Sequence, residues 1–319
     1  MAPPDHHQVL SAILRSDFPS FLHKVFQTLS PGQRFVRAWA VEAIAHALER
    51  VRRGEIKRLI INLPPRSLKS IAASVAFPAY VLGHDPRTRI ISVTYANDLS
   101  RKMSNDFRAV IQSAWYRDAF PATKIGRFKD SEAEIELTAR GFRLATSTGG
   151  TLTGRGGDII IIDDPLKPID ALSEPKRSFV NQWFANTLLS RLDDKRTGAI
   201  VIAMQRVHMD DLCGFVLGQS DEWTVLNIPA IAESHETFAL PRGKVHHRSP
   251  GEVLSPEREP IEVLRDLRTQ LGSDLFSAQY HRRLCRRAAP WSNGIGSSVL
   301  GTPDRQYRAP HSPELGYRR

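Results

Sequence analysis

Two pairs of residues carry the chemistry that can be read from this sequence: Lys69-Ser70 and, about 90 residues later, Asp163-Asp164. A lysine beside a serine at the start of a helix can neutralise the outer charges of a phosphate chain and offer a hydroxyl to a divalent cation. The helix N-terminus adds unpaired backbone N–H groups and the positive end of its dipole. Adjacent carboxylates at a strand end complement that arrangement: Asp163 suits Mg²⁺, and Asp164 suits the orientation or deprotonation of an attacking water. Together these residue types point to a triphosphate bound with Mg²⁺.

The elements that must position them are legible around each pair. Lys69-Ser70 lies in RLIINLPPRSLKSI, residues Arg58 to Ile71. Strand-forming Leu59-Ile60-Ile61 stops at Asn62 and Pro64-Pro65. After a polar bend an apolar helical stretch runs from Ile71 to Leu82, with Pro78 expected to kink or shorten it. The loop motif G-x-x-x-x-G-K-[ST] has Gly where this chain has Leu63 and Leu68. By itself, then, the stretch reads in two ways: as a phosphate cradle of Pro65, Arg66, Ser67, Leu68, Lys69 and Ser70, or as a buried strand turning through Pro-Pro into a helix. The second pair favours the cradle, because IIIIDDP is a continuous apolar strand, Asp158 to Ile162, ending in two acids after intervening strand and helix patterns. Its strand is expected to neighbour the loop strand in a parallel sheet.

Other candidates keep two readings each. Arg66 either stabilises charge building on a phosphate, as arginine fingers do, or is a surface residue. Gln205, ending the strand Gly198 to Met204, either senses an outer phosphate or is an ordinary polar terminus. Trp39, with Phe35 and Gln33, either meets an adenine or belongs to the core. His208 with Asp210-Asp211 has the residue types of a metal site, but a helix start favoured by the dipole is the stronger expectation. Glycines 149, 150, 154, 156 and 157, around Thr151 and Arg155, form a loop that tracks a phosphate backbone, hinges, or simply connects.

Repeated strand and helix alternation, with strands apolar on both faces, predicts an α/β fold with a mostly parallel sheet flanked by helices. Helices are expected over Gln8 to Leu14, Phe21 to Leu29, Arg37 to Arg53 with Gly54 as its cap, Ala96 to Ala114 capped by Asn97 or Asp98, Ser173 to Leu192, Asp210 to Leu217 and Ile261 to Leu271. Strands are expected over Arg89 to Thr94 and Trp223 to Ile228, with a hairpin in Glu134 to Thr146. The expected organisation is a helical lead-in over 1–30, a nucleotide-binding core over 31–230, a connector and helical segment over 231–280, and an Arg-rich disordered tail over 281–319. That tail carries +6 of the formal +10 net charge, so the body is only mildly basic and a nucleic-acid footprint must be a local patch. No apolar run is long enough to span a membrane, the N-terminus lacks an export signal, and Cys213 and Cys285 form no disulfide framework. A reducing cytoplasm fits.

In this order the segments resemble the large subunit of tailed-phage terminases. The resemblance rests on IINLPPRSLKS as a variant Walker A segment, SVTYANDLSRKMSNDFR, TSTGGTLTGRGGDIIIIDDP as loop plus Walker B, AMQRVHMDDLCG, and FSAQY near residue 280. It implies a P-loop NTPase of the additional-strand, helicase-like class using ATP and Mg²⁺. Lys69 and Ser70 would lie on phosphate and Mg²⁺, Asp163 on Mg²⁺, Asp164 would direct the water, Arg66 is a candidate finger, and Gln205 falls in a coupling segment. It further implies double-stranded DNA bound by its backbone, a small subunit, a portal and a ring oligomer, in a bacterial host cell. The family's subunit continues into a nuclease domain, whereas 39 residues follow Tyr280 here, with Asp304 and Glu314 their acids. No DNA cleavage is therefore expected, and a prophage remnant or a frame-shifted tail is one expectation for the Arg-rich end. A helicase-like DNA-dependent ATPase and an inactive nucleotide-binding remnant are the competing readings.

Overall fold

The computed structural model describes residues 5–152 and 154–280; the Arg-rich stretch 281–319 lies outside the described residues. Helices α1 (His6–Ser16) and α2 (Phe18–Leu29) start where Asp5 and Asp17 accept the N–H groups of His7 and Ser20. Helix α3 (Trp39–Arg52) runs into Gly54, whose φ of 75° provides the left-handed stop that a side chain would resist. Strand β1 (Arg58–Asn62) leads through the loop of interest into a π-helical turn (Ile71–Ala76) and α4 (Phe77–His84). Pro78 sits in the first turn of α4, where a missing N–H costs least, so the helix changes character at the proline.

After β2 (Arg89–Thr94) come α5 (Asn97–Gln112) and α6 (Ala114–Ala119), then β3 (Ile125–Asp130), β4 (Glu134–Leu137), β5 (Phe142–Ser147) and β6 (Ile159–Asp163). Helix α7 (Glu174–Trp183), β7 (Ala199–Met204), α8 (Leu212–Gln219) and β8 (Thr224–Asn227) follow. The chain then makes a small hairpin of β9 (Glu236–Ala239) and β10 (Val245–Arg248) before α9 (Ile261–Leu271) and α10 (Ser273–Tyr280).

Among the described residues one eight-stranded sheet has the order β3-β4-β5-β2-β6-β7-β1-β8. From β5 to β8 every pairing is parallel, and β3 and β4 add antiparallel at one edge. Period-two alternation splits the strands between two cores. Leu59, Ile61, Ile90, Ile161 and Val201 pack with the helices before β3, whereas Ile60, Ile91, Ile160, Ile162, Ile200 and Ile202 pack under α7 and α8. Both faces being covered, the central strands read as unbroken apolar runs.

Several local expectations change. Strand β6 does not neighbour β1: β7, buried at all six positions, is inserted between them. Asn97 and Asp98 do not cap α5. They are its first two residues, too far along the turn to receive its first N–H groups, and Ala96 occupies the cap without a side-chain bond. The helix expected to reach Ala114 breaks at Ser113, whose backbone is extended. The one expected over Ser173 to Leu192 becomes α7, a π turn (Phe184–Leu188) and a 3-10 turn (Leu189–Arg191). The loose connector contains the β9–β10 hairpin. Its inward residues include Glu236 and Arg248, a buried pair 3.1 Å apart, so its pattern lacks apolar alternation.

The β4–β5 hairpin shows how tightly this edge is built. A methyl group on Gly141 would lie 2.3 Å from the Pro86 carbonyl oxygen and 2.6 Å from that of Thr88, both backbone atoms that cannot swing aside. Gly141→Ala is expected to lower stability by roughly 1–3 kcal/mol. A urea titration of both proteins checks it through the shift in midpoint at an unchanged slope.

Candidate active site

The loop after β1 is held at both ends. Asn62 Nδ2 donates to the Met204 carbonyl at 3.0 Å, tying the end of β1 to the end of β7. Leu63 is buried, and Ser67 Oγ donates back to the Pro64 carbonyl, closing the bend. Arg66 and Leu68 have φ of 60° and 61°. That region costs a residue with a side chain roughly 1–2 kcal/mol. Leu68 is the position at which the generic motif has its second glycine, so the backbone takes a glycine-type turn with leucine in it. The side chain packs against the first core, which offsets part of the strain. Lys69 and Ser70 already have helical geometry, with the Ala72 N–H on the Leu68 carbonyl at 2.9 Å.

The two pairs read from the sequence meet here. Lys69 Nζ donates to Asp164 Oδ2 at 2.9 Å, and Ser70 Oγ donates to Asp163 Oδ1 at 3.0 Å. Because β7 separates β1 from β6, these side chains bridge a strand's width. Asp163 is 1 % exposed, and burial, followed by the charge of Asp164, pushes its carboxyl up to about 6 against the lowering effect of Lys69. Asp164 turns out of the strand at φ 44°, a conformation that Asp tolerates better than most residues. Its N–H donates to the Ala203 carbonyl at 2.9 Å, and its Oδ1 accepts the Gln205 N–H at 3.0 Å. One aspartate thereby joins the ends of β6 and β7 to the lysine of the loop.

The other candidates divide. Gln205 joins the cluster through its backbone N–H alone, and its side-chain Oε1 is buried with no hydrogen-bond partner among the described residues. The Arg66 side chain is exposed and stays outside the hydrogen-bonded cluster, while its carbonyl accepts Arg258 Nη1 from far along the chain. Trp39 is occupied elsewhere: its ring stacks on His246 at 4.1 Å and tilts against Phe238 at 5.0 Å, both in the small hairpin. Phe35 stacks on His23 at 4.5 Å.

The segment after β7 is a helix start. Asp211 caps α8 through the Gly214 N–H at 3.0 Å, accepts the N–H groups of Val207 and His208, and is paired to Arg206 Nε at 2.8 Å. The described residues on either side of position 153 pin the glycine-rich loop to the fold. Leu152 is buried in the second core, Thr148 Oγ1 donates to the Pro165 carbonyl at 3.0 Å, and Arg155 Nη1 and Nη2 donate to Glu134 Oε1 and Oε2 at 2.9 and 2.8 Å. Arg155 is therefore engaged by a carboxylate within the fold.

Sequence reasoning passed over Ser74, whose hydroxyl donates to Asp163 Oδ2 at 2.7 Å, and over Arg258. For Ser74 a signal existed: it is the second hydroxyl of an apolar run, four residues after Ser70 and so on the same helix face. Arg258 had none, since its contact spans 192 residues.

The donor set fits a metal-bound triphosphate. Carboxylate and hydroxyl oxygens are the ligands Mg²⁺ prefers, a buried ammonium suits phosphate, and the unpartnered Gln205 Oε1 suits a water. Compared with models of known protein families and with curated proteins, the sequence matches none. Solved structures do match. The ATPase domain of the Thermus phage P74-26 large terminase is similar over 81% of this chain and 96% of that one, with 14% identity and a TM-score of 0.50. The large terminase of bacteriophage HK97 is similar over 72% of this chain, with 11% identity and a TM-score of 0.47; this chain spans 45% of its length. The fold, a mostly parallel sheet flanked by helices, is accordingly similar to that of a terminase ATPase domain. No helix among the described residues is long and apolar enough to cross a membrane.

Proposed function

We propose that this chain is the ATP-hydrolysing motor domain of a phage or prophage terminase large subunit, driving double-stranded DNA into capsids. The observation that carries the ATPase reading is the cluster in which Lys69 and Ser70 meet Asp164 and Asp163 across an inserted strand. Pro65 to Ser70 form the phosphate cradle, with Lys69 as its charge, and Ser70 and Asp163 are the residues that would hold Mg²⁺. The bound metal and triphosphate supply an electrophilic phosphorus whose developing charge is shared with the cation.

The chain's own part is proton handling and orientation. Each oxygen of Asp164 accepts one internal hydrogen bond, from Lys69 or from the Gln205 backbone. An ionised carboxylate has further lone pairs on both, so it can still accept a proton from a water. Gln205 holds Asp164 through its backbone N–H, which fixes the carboxylate that would orient that water. Arg66, exposed on the loop, is available to an outer phosphate as a finger. Residues 31–230 serve as the ATPase core, 1–30 as its helical lead-in and 231–280 as a connector. DNA is held by its backbone charges without sequence readout, by a ring of subunits working with a small subunit and a portal in a bacterial cell.

Phosphate release with and without double-stranded DNA tests this reading. Wild-type protein is expected to hydrolyse ATP in a Mg²⁺-dependent way without separating strands, and Lys69→Ala to lose that activity. Equal rates in the two proteins would remove the ATPase reading, and strand separation would replace the motor with a helicase.

A further inference from the structure

Asp163 is gripped from two sides. Ser70 Oγ donates to its Oδ1 at 3.0 Å and Ser74 Oγ to its Oδ2 at 2.7 Å, and both the aspartate and Ser74 are 1 % exposed. The two hydroxyls have different prospects. Ser70 lies at the loop, half-buried, where its oxygen can turn to a cation. Ser74 lies a turn deeper, enclosed by the core.

A serine inside a helix ordinarily bonds the carbonyl four residues back. Ser74 instead reaches across to β6, and three features of the chain hold it in that position. Its turn is π-helical, with the Phe77 N–H on the Ala72 carbonyl, five residues back. Pro78, the residue whose N–H would meet the Ser74 carbonyl in an α-helix, has none to give. The carbonyl is taken instead by Arg143 Nη2 at 3.1 Å, from a guanidinium on β5 that is 1 % exposed and packed over the Phe107 ring at 5.4 Å. Arg143 Nε and Nη1 have no hydrogen-bond partner among the described residues, and its charge is favoured by those of Asp106 and Asp163, so the arginine is held on the same aspartate's side of the core.

We infer that Ser74 is a positioning residue for the metal site: its hydroxyl fixes Oδ2 of Asp163, so that Oδ1 stays aimed at the cation when Ser70 turns to it. The inference rests on the reading of Asp163 and Ser70 as the Mg²⁺ residues. With Ser70 turned to a cation, Ser74 would be the donor left on the aspartate side chain among the described residues, the role that outer hydrogen bonds play for other metal-ligating carboxylates.

Titration calorimetry of ADP with Mg²⁺, and of ADP in excess chelator, tests it on the full chain, with melting curves alongside. In Ser74→Ala the Mg²⁺ needed for half-maximal ADP binding is expected to rise about tenfold, with metal-free ADP affinity unchanged and a cooperative melt. Ser74→Thr keeps the hydroxyl and is expected to keep the wild-type Mg²⁺ dependence, the extra methyl group appearing only as a lower melting midpoint. A Ser74→Ala protein with wild-type Mg²⁺ dependence, or one losing metal-free affinity by the same factor, overturns the positioning role alone. A wild type whose ADP binding ignores Mg²⁺ overturns the metal site, and the positioning role with it.

Discussion

Asp164→Asn is expected to lower ATP hydrolysis by about 10²–10⁴-fold, while ATP binding stays within a few-fold of wild type. The amide keeps one carbonyl oxygen, enough for the Gln205 N–H that now bonds Oδ1 at 3.0 Å. The strand ends therefore remain tied. The change falls on the other side: an NH₂ group replaces the oxygen facing Lys69 at 2.9 Å and can accept neither from the lysine nor from a water. Deprotonation fails, while the phosphate cradle and the lysine persist. Steady-state phosphate release beside titration with a fluorescent ATP analogue separates the two quantities. A variant that turns over at the wild-type rate would return Asp164 to a structural role.

Asp211→Ala is expected to cost about 3–5 kcal/mol of stability. This carboxylate is fully buried and serves four groups: Arg206, the N–H groups of Val207 and His208, and the first turn of α8. Removing it takes from the Arg206 guanidinium, 5 % exposed, the carboxylate at 2.8 Å and uncaps the helix. The Arg206 bonds to the carbonyls of His208 and Met209, at 3.1 and 3.4 Å, compensate only in part because carbonyls carry no net charge. Asp211→Asn retains an acceptor for the cap and should lose less, and the difference in denaturant midpoints between the two variants measures the share due to charge. The knot also follows Gln205 directly, so the alanine variant is expected to lose activity before it unfolds.

What the sequence made legible follows from what each device leaves in it. Strands buried on both faces must be apolar throughout, which is why IIIID, RIISVT and AIVIAM announced a parallel sheet between helices. The meeting of Lys69-Ser70 with Asp163-Asp164 was readable because few residue types suit phosphate and cation chemistry. Strand order left no local trace: β6 and β7 are equally apolar, and only the sheet itself shows which lies beside β1. The β9–β10 hairpin was hidden because its inward side includes a charge pair, Arg248 with Glu236, whose cost is met in part by the carbonyls of Pro229 and Glu252. Strained positions were equally silent. Nothing in the residues Arg66, Leu68 and Asp164 signals a left-handed backbone, a conformation that their surroundings impose.

The place of β1 in the sheet has a consequence for how the protein is made. It is the earliest strand to leave the ribosome, yet both of its partners, β7 and β8, are encoded at 199–204 and 224–227. At ~5–20 residues per second the nascent strand waits on the order of ten seconds for either edge to be filled. Throughout that interval Leu59, Ile60 and Ile61 present an apolar edge that any other extended chain can pair with. The sheet order that brings Lys69 to Asp164 thus also leaves β1 an open edge until the strands encoded last in the sheet are made.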